Sequence, residues 1–302
     1  MLKFRNISGL LQLLFGSRVK EAAMKAFHEN RLYHSIIPFT AFIAHNFNFL
    51  AHWHNDLEFI YVCEGTIRIG INSESRILGK GDIAICSSGD IHYYDSKDNE
   101  SSILIVIFNP QLIGVPGGWP KNIRLTSPFF SNSESESREH QGMFVEKMTD
   151  LMLNLLRESE DQSEHYEMFI TGMVFELCGT ILRYANSEPA DLKKDKRRMI
   201  TMKIMQEVLE YLEMNYSRAI TLEDVARQAN MSIFHFSRFF KSITGMSFIS
   251  YLNNIRINKA EEMILNTNRS MIDIALDCGF TNVRTFNRVF RQLRQCTPSD
   301  LR

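Results

Sequence analysis

No Cys-x-x-Cys pair occurs in these 302 residues, and the five cysteines (Cys63, Cys86, Cys178, Cys278, Cys296) are odd in number and far apart. That excludes a zinc ribbon and a disulfide framework, and it fits a reduced, cytoplasmic setting. No apolar run approaches the roughly 18 residues of a membrane span, so no membrane partner is expected. The opening MLKFRNISGLLQLLFGSR is basic and then apolar. Ser8, Gly9 and Gln12 interrupt the apolar part, and no small-residue cleavage site follows. It reads as an amphipathic helix within an N-terminal segment, 1–32, with a membrane-surface contact as the alternative.

An excess of charge of one sign is also missing, since the net is −1. The balance hides a division. Residues 193–302 carry 18 Lys+Arg against 11 Asp+Glu, a net of +7, which leaves 16 against 24, or −8, in residues 1–192. An acidic front and a basic back place a polyanionic partner at the back. The length suits about two domains.

What is present falls into two styles. From 33 to 125 the runs FIYV (59–62), IRIGI (67–71), DIAIC (82–86) and SILIVIF (102–108) are short and apolar or alternating. Glu64-Gly65, Gly79-Lys80-Gly81 and Ser88-Gly89-Asp90 separate them as turns, so a β-sandwich or barrel is expected. Helical spacing follows over 126–186. Phe144, Met148, Leu151 and Leu155 share one face, and Phe169, Met173, Leu177 and Ile181 another. These two helices either cover the barrel or form a dimer interface. SEPADLKKDKRR, at 187–198, combines a proline with a run of like charge and reads as a linker over 187–199.

From residue 200 onward everything reads as helix, and one local design occurs twice. Thr221 begins a capping box before a short helix with Val225, Ala226 and Ala229 inward. Asn230 allows a left-handed turn, Ser232 caps the next helix, and Phe236, Phe240 and Ile243 face the core. In the second copy Ser270 precedes Ile272, Ile274 and Ala275. Gly279 makes the turn, Asn282 is the cap, and Phe286, Phe290 and Leu293 are inward. Each copy is a helix-turn-helix, whose second helix enters a DNA major groove. A helix from about 247 to 266, with Ile249, Leu252, Ile255, Ala260, Met263 and Ile264 inward, joins them. Its roughly 28 Å length matches a separation near the ~34 Å between successive major grooves. The outer faces carry Arg284, Arg288 and Arg291 in one copy and Phe234, Arg238 and Lys241 in the other; arginine reads guanine and pairs with phosphate.

Residues 221–302 resemble the DNA-binding domain of the AraC/XylS family along its whole length. The residues that carry the likeness are Ala226, Ser232, Phe236-Ser237-Arg238-x-Phe240-Lys241, Gly245, Tyr251, Arg256, Ala260, Ile272-x-Ile274-Ala275, Gly279-Phe280, Phe286-Asn287-Arg288-x-Phe290 and Thr297-Pro298. By that resemblance the early positions of each recognition helix, here Phe234, Ser237, Arg238, Val283, Arg284 and Arg288, touch DNA. Lys241 and Arg291 extend the same faces. Asn230, Phe248 and Cys296 depart from the usual Gly, Pro and Gly.

A third feature lies in HWHNDLEFIYVCEG, residues 52–65. Alternate residues of a strand share a face, so His52, His54 and Glu58 converge, with His92 as a fourth candidate. The spacing His52-x-His54, three residues, Glu58, six residues, Gly65 resembles the first cupin motif. Gly81, Gly89 and His92 resemble the second, with Ser87 and Ser96 where Pro and Asn are usual. The resemblance implies a jelly-roll barrel over 33–125. Three histidines and a carboxylate suit a divalent Fe, Mn, Ni or Zn ion. In regulators of this kind the barrel serves as an effector pocket, commonly for a sugar or another small metabolite and often without metal. His52, His54, Glu58, Tyr61, His92 and Tyr93 are the candidate effector residues, with Trp53, Tyr61 and Tyr93 available for stacking. His45 reads as an ordinary strand histidine.

The expected architecture is α+β in two domains: a cupin-like barrel with flanking helices, then an all-α domain, 200–302, with two helix-turn-helix units. The expected function is transcription regulation by a homodimer that binds a double-stranded operator and a small effector, and RNA polymerase if it activates. No cofactor is required; a divalent metal at His52, His54, Glu58 and His92 is the candidate one. The competing reading is a cupin metalloenzyme with an accessory DNA-binding domain.

Overall fold

The computed structural model describes Tyr33 and residues 36–96, 99–115, 119–120, 123–131, 138–189 and 191–302; the N-terminal segment expected over 1–32 lies outside them. The strands are β1 (Phe39–His45), β2 (Phe49–His52), β3 (Leu57–Ile71), β4 (Glu74–Gly79), β5 (Ile83–Cys86), β6 (His92–Asp95), β7 (Ser101–Phe108), β8 (Ile123–Leu125), β9 (Phe129–Phe130) and β10 (Ser187–Pro189). The helices are α1 (Arg138–Asp161), α2 (Tyr166–Tyr184), α3 (Leu192–Asn215), α4 (Leu222–Gln228), α5 (Ile233–Thr244), α6 (Phe248–Asn266), α7 (Met271–Asp277) and α8 (Val283–Arg294). No helix among the described residues is long and apolar enough to cross a membrane.

The 15-residue β3 organises the barrel. Its first half pairs with β7 and β5, and its second half with β4 and β6. The register shifts between Val62 and Glu64, and Gly65 follows at φ +72°, where a Cβ would sit 1.8 Å from the Glu100 carbonyl oxygen. Only glycine fits that crossing. One strand thus serves two sheets, β1-β7-β3-β5-β9 and β2-β6-β3-β4. Their inner faces meet in an apolar interior of Ile60, Val62, Ile67, Ile69, Ile103, Ile105 and their neighbours.

Each sheet has a covered outer face as well. The odd residues of β3, Phe59, Tyr61 and Cys63, pack under α1 and α2 with Phe144, Met148, Leu155, Ile170, Val174 and Leu177. The other sheet turns Leu50, Ala51, Ile91 and Tyr93 outward, into one cluster with Met205, Leu209, Phe236, Phe240 and Tyr251 of α3, α5 and α6. The first helix-turn-helix unit therefore shares its core with the barrel. The second has its own, built on Ile257, Ala260, Ile274, Phe286 and Phe290. The long α6 runs through both cores.

Several expected boundaries and faces shift. The barrel continues past 125, because β9 pairs with β5. Of the expected linker, 187–189 form β10 against β8, and helix begins at Leu192 and runs into the basic domain. Lys and Arg are good helix formers, so a charge run can begin a helix as readily as a linker. Ile170, not Phe169, starts the buried stripe of α2, whose two faces are both apolar. Ile249 and Ile272 are exposed; Phe248, in the place of the family's proline, turns inward instead.

The buried Tyr251 hydroxyl donates to the Ala51 carbonyl at 2.7 Å across the two regions. Tyr251→Phe leaves that carbonyl unpaired and should cost about 1–3 kcal/mol in denaturant unfolding. No loss would mean that the bond adds nothing to the docking of the two regions.

Candidate metal centre and nucleic-acid interface

The four residues singled out at the barrel come together and are all buried, with one ligand atom from each of His52, His54, Glu58 and His92 within 4.8 Å of one another. Strand pairing does this. His52 is directly opposite His92 in the β2–β6 register, and His92 is opposite Ile71 of β3. The turn before His92 is tied down by Asp90, whose carboxylate accepts from Asn72 Nδ2 at 2.7 Å and from the Ser87 amide at 2.8 Å.

The rings are oriented from outside. Nδ1 of His52, His54 and His92 lies 2.9, 3.1 and 3.0 Å from the carbonyls of Leu50, Asp56 and Asp90. A carbonyl only accepts, so each Nδ1 carries the proton and donates it. A ring held this way aims Nε2 at the centre and, when that nitrogen is unprotonated, offers its lone pair there, as metal-ligating histidines do. His92 Nε2 is buried without a hydrogen bond, 3.4 Å from Glu58 Oε2. His54 Nε2 lies 2.8 Å from the same oxygen, so a proton or a cation must separate the two lone pairs. The other oxygen, Glu58 Oε1, accepts from the Tyr94 hydroxyl.

Burial pushes the Glu58 carboxyl up, but His92 and His54 outweigh it and hold the group well below its usual range. Burial, reinforced by His92, holds His52 well below the usual histidine value. Burial also pulls His92 down, yet the Glu58 carboxylate raises it on balance. A fixed anion facing three preset Nε2 atoms fits a first-row divalent cation.

At the other end, both turn units are built from caps. Thr221 and Asp224 form the capping box, and the side chains of Ser232, Ser247, Ser270 and Asn282 accept from amides in the first turns of α5, α6, α7 and α8. Asn230 at φ +53° and Gly279 at φ +82° supply the left-handed turns. Phe234, Ser237, Arg238 and Lys241 are exposed on α5, and the Arg238 guanidinium lies 5.7 Å from the Phe234 ring. On α8, Arg284, Arg288 and Arg291 are exposed and line a shallow groove with Asn287 and Gln292, and Val283 is half-buried beside them.

A profile of the helix-turn-helix domain family matches residues 225–302, and one of the cupin domain family matches 42–108. The Tn10 TetD protein of Escherichia coli is 32% identical over 118 residues, 39% of this chain and 85% of that protein. The transcriptional activator RhaS of Klebsiella pneumoniae is 24% identical over 258 residues, covering 84% of this chain and 87% of RhaS. The chain belongs to the AraC/XylS family of transcription regulators. YdeC of Bacillus subtilis, an uncharacterised regulator, is 21% identical over 248 residues, 82% of this chain and 84% of YdeC. Among solved structures, the C-terminal domain of AraT from Geobacillus stearothermophilus is 32% identical, with a TM-score of 0.32 over 33% of this chain and 83% of that one.

In this AraC/XylS protein two candidate effector residues fall outside the centre. Tyr61 has odd parity on β3 and packs under the α1–α2 hairpin. Tyr93 is likewise on the outer face of its sheet, where it meets Gly245 at the end of α5. Trp53 also packs on that outer cluster. Tyr94 is the residue that sequence reasoning missed, and its parity with His92 was the available signal. Asn287 was missed as a groove residue although it lies three positions after Arg284. Tyr94→Phe removes the donor to Glu58 and should cost about 1–3 kcal/mol of stability; equal denaturation midpoints for variant and wild type would contradict the buried bond.

Proposed function

We propose that this regulator is controlled by a small ligand, foremost a divalent metal ion, held by His52, His54, Glu58 and His92 and read out through the first helix-turn-helix unit. One observation carries the reading. The strands β2 and β6 that present His52 and His92 inward present Leu50, Ala51 and Tyr93, with Ile91 just before β6, outward into the core of the DNA-binding region. The mutual spacing of the four ligand atoms, at most 4.8 Å, suits a single ion better than a sugar ring. Bound there, an ion would supply positive charge that draws the Nε2 atoms and Glu58 together.

Any movement of His52 or His92 reaches the basic domain by a short route. Ala51 accepts from Tyr251, Gln206 of α3 donates to the Gly89 carbonyl at 2.7 Å, and Tyr93 leaves no room for a Cβ at Gly245, the C-cap of α5. Ligand binding then shifts the population of DNA-competent arrangements. Phe234, Ser237, Arg238, Lys241, Val283, Arg284, Arg288 and Arg291 are the proposed DNA contacts, with Asn287 added to the second set. A chromosomal target and five cysteines without a disulfide suit the cytoplasm.

The second reading, a metal-dependent enzyme, rests on the same quartet. It requires turnover of a small metabolite that persists when Arg238 and Arg288 are both replaced.

Operators selected from random duplexes provide the test. Affinity should fall steeply with salt, and Arg238→Ala or Arg288→Ala should each cost about 1–3 kcal/mol and relax base preference. Unchanged binding in both would contradict the contacts. Elemental analysis of protein purified without chelator should find close to one divalent ion per chain, lost in His54→Ala. Its removal should change operator affinity about 5- to 150-fold, the usual range of allosteric coupling. Equal affinity with and without the ion would remove metal control.

A further inference from the structure

Helix α3 begins with a charge pattern that works against it. Five of the six residues 193–198 are Lys or Arg, a net of +4 with Asp195, whereas residues 200–302 carry 13 Lys+Arg against 10 Asp+Glu, or +3. The helix starts at Leu192, so the run fills its first two turns. A helix N-terminus carries roughly half a positive charge and favours anions, and like charges one turn apart, as at 193/197 and 194/198, repel. Lys196 and Arg197 are exposed, and neither is in an ion pair among the described residues. Arg198 acts on the buried Asp90 carboxyl of the barrel. Packing farther along keeps the helix, where Met205, Val208, Leu209 and Leu212 share a core with Phe236 and Phe240 of α5.

We propose that the start of α3, through Lys196 and Arg197 foremost, is a third DNA contact, made with backbone phosphates beside the half-site that α5 reads. It rests on the DNA contacts proposed above for α5 and α8. A run of cations that costs the helix stability is offset when a polyanion meets it, and duplex DNA extends past any operator as one.

The order of the helices places the run. Helices α3, α4 and α5 are a three-helix unit whose last member enters the major groove. In the homeodomain form of such a unit, the chain ahead of the first helix reaches the adjacent minor groove. Here that stretch is continuous helix, and roughly 12 Å of it separates Arg197 from Met205, so the cations are carried at a fixed position relative to α5. A helix about 10 Å across does not enter a minor groove about 6 Å wide. The cations therefore meet the phosphates that rim it, which adds affinity without base preference.

Two duplexes test the contact: the operator trimmed to its two half-sites, and the same operator with about one helical turn of scrambled sequence added on the α5 side. Lys196→Gln with Arg197→Gln changes exposed positions only, leaves Arg198 on the barrel, and should melt no lower than wild type. Wild type should bind the extended duplex more tightly than the trimmed one, and equally for every added sequence. The double variant should lose that gain, with a log–log salt slope lower by about 2 on the extended duplex, near 0.9 per phosphate, and match wild type on the trimmed one. Arg238→Ala should keep the gain from the added turn while its base preference relaxes. Equal slopes for variant and wild type on the extended duplex would overturn the contact. So would the same loss on both duplexes, the mark of a general charge effect, or a gain that depends on the added sequence. Wild-type binding indifferent to salt on either duplex would instead remove the DNA reading on which the proposal rests.

Discussion

The antiparallel pairing of β2 with β6 is the constraint on which the rest depends. It sets His52 against His92 at the centre and turns Leu50, Ala51, Ile91 and Tyr93 toward the first helix-turn-helix unit. A strand's two faces are fixed to each other by one backbone. Under the proposed control, a change felt by the inner side chains would reach the outer ones without a separate relay.

The three histidine rings are held from the backbone, and the carboxylate by side chains. Three carbonyls, each two residues from its histidine, fix the three rings, and Tyr94 and His54 take the two oxygens of Glu58. Those carbonyls come from Leu50, Asp56 and Asp90, and Leu50 lies in the shared core. Orientation of a ligand ring and docking of the DNA-binding region are thus properties of the same few residues. At the DNA end, α6 lies in both helical cores. Arg294 binds Glu261 and Asn258 of α6, and Arg256 on that helix donates to the carbonyls of Tyr216 and Arg218 just after α3.

Much of this was legible in the sequence. The caps at Thr221, Ser232, Ser270 and Asn282 and the turns at Asn230 and Gly279 follow from local rules that act within a few residues, and strand parity groups His52, His54 and Glu58; His92, far along the chain, joined them through the resemblance to the second cupin motif. What was not legible depends on partners far along the chain. Parity alone puts Tyr61 out of the centre and Tyr94 in it, but which parity faces the interior at β6 is set by its pairing with β2 and β3. Ile249 and Phe169 fit a helical stripe as well as Phe248 and Ile170 do, and only packing chooses. The charge run at 193–198 is equally compatible with a linker and a helix start until tertiary contacts decide.

The most direct measurement is hydrogen exchange of the full chain, freed of metal by chelation and then reloaded with one equivalent of zinc. The account predicts that loading changes protection at the four ligands and, with them, at Leu50–Ala51, at Ile91–Tyr93 and at the Gly245 end of α5. A change confined to the ligands, with the shared core untouched, would contradict it.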